Sequence, residues 1–158
     1  MDTNNAAVIL FGSQHMRVNL TALHPEPMHI VRLWQKYLDN VDPLIKILHA
    51  PTAQQQVLET STDLENVPRD MEALLFSIYS LSIAPVDDAH CKDLFGEEKS
   101  SLLARYQFGA QQALLNADFL RPSTLVVLQA LLLYLVSCLV LVDTSSYLCH
   151  YSCRYAAT

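Results

Sequence analysis

The chain has 158 residues, 51% of them apolar, and a net charge of −6 at neutral pH. That is enough chain and enough apolar surface for one domain with its own core, and it excludes disorder throughout. Between Glu59 and Glu98 ten acidic side chains face only Arg69 and Lys92, a balance that repels a phosphate backbone and disfavours nucleic-acid binding.

Only three glycines occur, amid abundant Leu, Ala, Gln and Glu, which favours helices over a many-turned β-fold. Residues 1–23 read as a flexible N-terminal segment. Its apolar patch Val8-Ile9-Leu10-Phe11 is too short for a signal sequence, and Met1-Asp2-Thr3-Asn4-Asn5 carries no basic start. An intracellular compartment with free thiols follows from that. His24-Pro25-Glu26-Pro27 then punctuates the chain, and the prolines favour an extended approach to a helix.

Ile30, Leu33, Trp34, Tyr37, Leu38 and Val41 recur at three and four, which predicts a helix over residues 28–40. Asp42 is placed to cap a short turn over residues 44–48, and Thr52 to cap a helix over 53–60. Pro68 suits the first turn of a helix over 69–83 that buries Met71, Leu74, Leu75, Ile78 and Tyr79. Asp87 caps a short helix through Phe95, with Gly96 as its stop. A long helix over 97–116 carries the stripe Leu102, Leu103, Tyr106, Ala110, Ala113, Leu114 and Ala117, with its glutamates in the first turn. After a connection at 118–122, with Ser123 as cap, a last helix begins at Thr124. The sum is an all-α, irregular helical array.

The last helix is the ambiguous element. Residues 125–142 contain Gln129 as the only strongly polar side chain, which is long and apolar enough for a membrane span. A central helix buried on all sides by its neighbours has the same composition. Gln129 and Ser137 lie eight apart, near one face, and suit either case.

No phosphate loop, dinucleotide fingerprint or nucleophile elbow is present. The histidines His15, His24, His29, His49, His90 and His150 are scattered. His24 and His29 can meet around the proline pair, but surface or capping roles are the simpler reading, and His49 orders its turn. Cys149 and Cys153 are spaced to share a metal on a helix face, with only Cys138 or a distant Cys91 to add; a structural zinc needs about four ligands. Asp87, Asp88, Asp93, Glu97 and Glu98 read as caps and a solvated face rather than a cation site. Trp34 reads as core. No catalytic, cofactor-binding or metal residue is assigned, and the chain is not read as an enzyme.

One longer pattern stands out. His24-Pro25-Glu26-Pro27-Met28-His29-Ile30-Val31-Arg32-Leu33-Trp34-Gln35 is followed by Leu38-Asp39-Asn40-Val41-Asp42-Pro43-Leu44-Ile45-Lys46-Ile47 and by His49-Ala50-Pro51-Thr52. Then come Glu72-Ala73-Leu74-Leu75-Phe76-Ser77-Ile78-Tyr79, Leu102-Leu103-Ala104-Arg105-Tyr106, Gln111-Gln112-Ala113-Leu114 and Leu128-Gln129-Ala130-Leu131. In this order the segments resemble the fungal-specific transcription factor domain, the middle homology region of fungal binuclear zinc cluster transcription factors, across residues 24–135. The resemblance implies a helical regulatory domain, a nuclear location and a role in transcription. The family's zinc cluster needs six crowded cysteines in a basic stretch. The first ninety residues here hold none, so zinc and DNA reading are not carried to any residue of this chain.

At Val136-Ser137 the pattern departs into a Ser-, Tyr- and Cys-rich stretch, so residues 136–158 read as a divergent tail of a truncated or misread gene product. The expected faces of the last helix follow. Leu128, Leu131, Leu132 and Leu135 pack on the preceding stripes, while Val126, Leu133 and Val140 are left uncovered. The leading expectation is a regulatory module that takes protein partners, or self-associates through residues 125–142, and meets DNA only through a module it lacks. The alternative is a single-span membrane protein anchored by 125–142.

Overall fold

The computed structural model describes residues 18–121 and 124–155, with side chains as far as Asp143. Six α-helices follow a 3-10 turn at Thr21–Leu23, and no strand occurs among the described residues, so the fold is all-α as expected. The flexible segment expected at 1–23 lies outside the described residues up to position 17. Beyond it, Leu20 is buried and the Asn116 side-chain amide donates to the Val18 carbonyl at 3.2 Å, which ties 18–23 to the body.

Helix α1 spans Pro27–Asn40 and buries Ile30, Leu33, Trp34 and Tyr37, the expected stripe. Pro27 sits in its first turn, where the missing N–H costs no hydrogen bond. The turn expected over 44–48 does not form as a helix. Leu44 is exposed, and the buried Asp42 carboxylate accepts from the Lys46 ammonium instead of capping. Helix α2 spans Ala50–Ser61, so it starts before Thr52. Pro51 occupies its first turn, His49 holds the cap position, and the His49 Nδ1 lies 2.8 Å from the Thr52 hydroxyl.

Helix α3, Arg69–Ile83, is the centre of the molecule. Every residue from Ala73 to Ile83 is buried, and the helix packs on α5, α6 and α1. The expected apolar face of α3 is right, but the rest of its surface is covered too. Ser77, Ser80 and Ser82 make that coverage feasible, because small side chains let neighbouring helices come close. The Ser82 hydroxyl donates to the Ile78 carbonyl at 2.6 Å, so it is satisfied by its own helix.

Helix α4, Asp88–Phe95, is capped by Asp87, whose carboxylate accepts from the His90 N–H at 2.8 Å. It ends at Gly96 in the left-handed conformation, φ 73°. Helix α5, Lys99–Asn116, starts after the glutamates rather than with them. Glu98 is at the cap position, and Glu97 reaches forward to pair with Arg105. Its C-terminus closes with Asp118 left-handed at φ 51°, and the Asp118 and Phe119 N–H groups donate to Leu115 and Leu114 carbonyls. That turn folds Phe119 into the core.

Helix α6, Leu125–Tyr155, runs through Val136 without a break. It is not the helix buried on all sides; α3 holds that place. Its packed face is also the reverse of the expected one. Val127, Ala130, Leu133, Tyr134 and Ser137 are buried, while Leu128, Leu132 and Leu135 face outward. Ala130 and Ser137 explain the choice: the helix that must approach α3 closely presents its smallest residues to it.

Candidate functional site

Five polar side chains decide how α6 sits. Ser137 and Ser80 meet at 3.3 Å between α6 and α3, both fully buried. The Ser137 hydroxyl also lies 2.7 Å from the Tyr134 carbonyl. Gln111 of α5 donates to the Tyr134 hydroxyl at 2.8 Å, and Gln129 donates to the Ile47 carbonyl at 3.1 Å. Gln129 and Ser137, the polar residues of an otherwise apolar run, are thus bound to other elements of the same molecule. Residues Leu125–Asp143 are long and apolar enough to cross a membrane, but one face of that segment is docked on α3 and α5.

The other face is open. Leu125, Leu128, Leu132, Leu135, Leu139 and Val142 are each between 43% and 68% exposed, spaced alternately three and four apart. This is a straight apolar stripe along the outside of the molecule, of the kind that marks an interaction surface. Two shallow grooves, of about 510 Å³ beside α2 and about 450 Å³ at the starts of α4 and α5, are lined largely by solvent-facing side chains.

The titratable groups singled out from the sequence are dispersed. His24 is buried against Phe76, with ring centroids 4.5 Å apart, and its ring nitrogens lie 3.4 Å from the Tyr79 hydroxyl and from a Glu72 oxygen. A surface role for His24 is therefore wrong. Its partners Glu72, Phe76 and Tyr79 lie about fifty residues away in the chain, so the local sequence gives no sign of them. His29 packs edge-on against Phe95, away from His24. Asp87 pairs with His90 on the surface, and backbone and side-chain hydrogen bonds from His90 hold the Asp87 carboxyl below its ordinary range.

Trp34 stacks on Tyr37 in the core, centroids 5.3 Å apart. Burial, with the nearby Asp42 charge, pushes the Tyr37 hydroxyl up to about 12. Cys91 is buried, and burial raises its thiol. Among the described residues no group of three or more His, Cys, Asp or Glu is arranged to hold a metal. The side chains of Cys149 and Cys153 lie outside the described set, as do His15 and His150.

The model of the fungal specific transcription factor domain matches residues 34–153, three quarters of the chain. The chain belongs to that family. The match takes in residues 136–153 as well. A transcriptional regulator of Aspergillus aculeatus, AacuB, is 49% identical over 129 residues, covering 82% of this chain and 18% of its own length. The aurofusarin cluster transcription factor aurR2 of Gibberella zeae is 42% identical, over 86% of this chain and 20% of its own length. The pyriculol/pyriculariol biosynthesis cluster transcription factor 1 of Pyricularia oryzae is 41% identical, over 86% of this chain and 18% of its own length. The chain thus spans about a fifth or less of these relatives. No solved structure matches it.

Proposed function

We propose that this chain is a regulatory segment of a fungal transcription factor, working in the nucleus through protein contacts. The family match over residues 34–153, with a transcriptional regulator 49% identical, is the observation that carries the reading. The exposed face of α6 is the surface offered to a partner. The polar side chains between helices support it in a second way, because they hold the array together rather than converge on a substrate.

DNA reading and zinc belong, on this proposal, to a separate cysteine-rich module. The four cysteines here, at 91, 138, 149 and 153, are not crowded into one. Relatives named for the aurofusarin and pyriculol clusters extend the proposal to a target class, the genes of one biosynthetic cluster.

The test tethers the chain to a heterologous DNA-binding module at a reporter promoter in a fungal host. Reporter transcript is expected to differ from that of the DNA-binding module alone. No difference, with the fusion folded and nuclear, would count against the reading. The untethered chain is expected to bind DNA only in the non-specific range, about 10⁻⁴–10⁻⁶ M at physiological salt. Sequence-dependent binding tighter than that would show that the chain reads DNA itself.

A further inference from the structure

We infer that residues 18–26 form a strap that opens as one unit, and that the ring of Phe76 couples this opening to the junction between α3 and α5. The inference concerns the folded chain alone, so it stands apart from the regulatory reading. Between residue 18 and α1 the chain forms only the 3-10 turn at Thr21–Leu23, and that turn packs on α5. Three contacts hold the segment down. The Asn116 side-chain amide of α5 donates to the Val18 carbonyl at 3.2 Å, Leu20 is buried, and the His24 imidazole is inserted against α3.

The residues that receive the strap are in register on two helices. Glu72, Phe76 and Tyr79 meet the imidazole, and their spacing of four and three puts them on one face of α3. Gly109 and Asn116 are seven apart, about two turns along one face of α5. The strap therefore lies over the seam where α3 packs on α5. Phe76 fills that seam. Its ring centroid is 4.5 Å from that of His24, while a Cβ on Gly109 would lie 2.4 Å from one of its ring carbons. One buried ring is thus held by a side chain of the strap and by the backbone of α5. In a close-packed interior, a ring that loses one wall relaxes towards the gap. When His24 leaves, the Phe76 ring turns away from Gly109, and whatever pushes the ring from the Gly109 side presses on His24.

The strap is also the segment readiest to open. The His24 Nδ1 lies 3.4 Å from the Tyr79 hydroxyl, at the long limit of a hydrogen bond. Its Nε2 is buried without a hydrogen bond, with the Glu72 carboxylate 3.4 Å away. An unpaired polar atom favours the state in which water reaches it. A short segment with few buried side chains opens at lower free energy than the helices it covers.

Amide hydrogen exchange of the whole 158-residue chain, read by mass spectrometry, tests both parts. Leu20→Ala removes one anchor and is expected to speed exchange several-fold across 18–24 together. Faster exchange confined to 18–20, or none, overturns the single unit. Coupling is reciprocal. Gly109→Ala, whose nearest new neighbours are all atoms of Phe76, is therefore expected to speed the strap as well. The gain at 18–24 should exceed any change in the α3 amides, which report opening of the whole molecule. A strap that exchanges at the wild-type rate, or changes only in step with α3, overturns the coupling.

A double-mutant cycle gives the second readout. The loss in denaturant midpoint on Gly109→Ala is expected to be smaller in the His24→Ala chain than in the wild type, because the ring then has room to yield. Equal losses in the two backgrounds mean that strap and junction are independent, and overturn the inference. Should Gly109→Ala fail to fold, the same change is made in the His24→Ala chain. Folding there supports the coupling, and failure there as well overturns it.

Discussion

Gly109 lies in the middle of α5, where glycine is normally a weakness, and the reason is its neighbour. A Cβ at this position would lie 2.4 Å and 2.6 Å from two ring carbons of Phe76, which is itself fully buried on α3. A fully buried ring can yield only by disturbing its own packing. Gly109→Ala gains roughly 1 kcal/mol of helix propensity but loses about 1–3 kcal/mol to overpacking. A net loss of stability is expected in denaturant unfolding. Phe76→Leu should relieve the clash, so the double variant is expected to be more stable than the two single costs added together. Additive costs would mean that the ring and the glycine are not in contact. The sequence shows a glycine inside a helical pattern, but only the packing shows what presses on it.

Among the elements, α6 is the one whose orientation matters most, because one face builds the core and the other is exposed. Leu133 is fully buried and Leu132 about half exposed, although they are adjacent in a run of leucines. Leu133→Ala is expected to cost about 2–5 kcal/mol by opening a cavity. Leu132→Ala should cost well under that. Denaturant midpoints of the two variants check the order, and a reversed order would mean that the helix is rotated. Hydropathy does not decide this, since every side chain from Leu131 to Leu133 is the same. What decides it is the small pair Ala130 and Ser137 together with Ser80 across the interface, a matter of how closely two helices fit.

For the whole molecule, four tyrosines link stability to alkaline pH. Burial pushes the hydroxyls of Tyr37, Tyr106 and Tyr134 up to about 12, and burial carries Tyr79 well above its ordinary 10. In the unfolded chain each ionises near 10. Below that pH both states keep their protons, and the tyrosines add no slope. As pH rises from about 10 toward 12 the unfolded chain releases protons first, so stability falls through that window. Thermal midpoints followed by circular dichroism are expected to drop there, and tyrosine absorbance should show ionisation of four of the seven tyrosines delayed beyond pH 10 in the folded protein. Titration of all seven near 10 without unfolding would contradict this. Tyr37→Phe is expected to leave neutral-pH stability near that of the wild type, because its buried hydroxyl has no hydrogen-bond partner among the described residues.

Periodicity, caps and breakers are local, so the sequence by itself determined the helical class, the helices α1, α3, α4 and α5 to within a few residues, and the family. Pro27, Asp87 and Gly96 act at the positions where they stand, whatever surrounds them. Which helix is central, which face of α6 is open and where His24 goes were decided only in the tertiary structure. Each depends on side-chain size and fit between elements distant in sequence. Serine reads as polar along the chain, yet Ser77, Ser80 and Ser82 sit at the centre of α3 because they are small, and two of them have hydroxyl partners nearby. The leucines of α6 read as core, yet six aliphatic positions are exposed because one face of a helix can dock on α3 and the other then has no neighbour among the described residues.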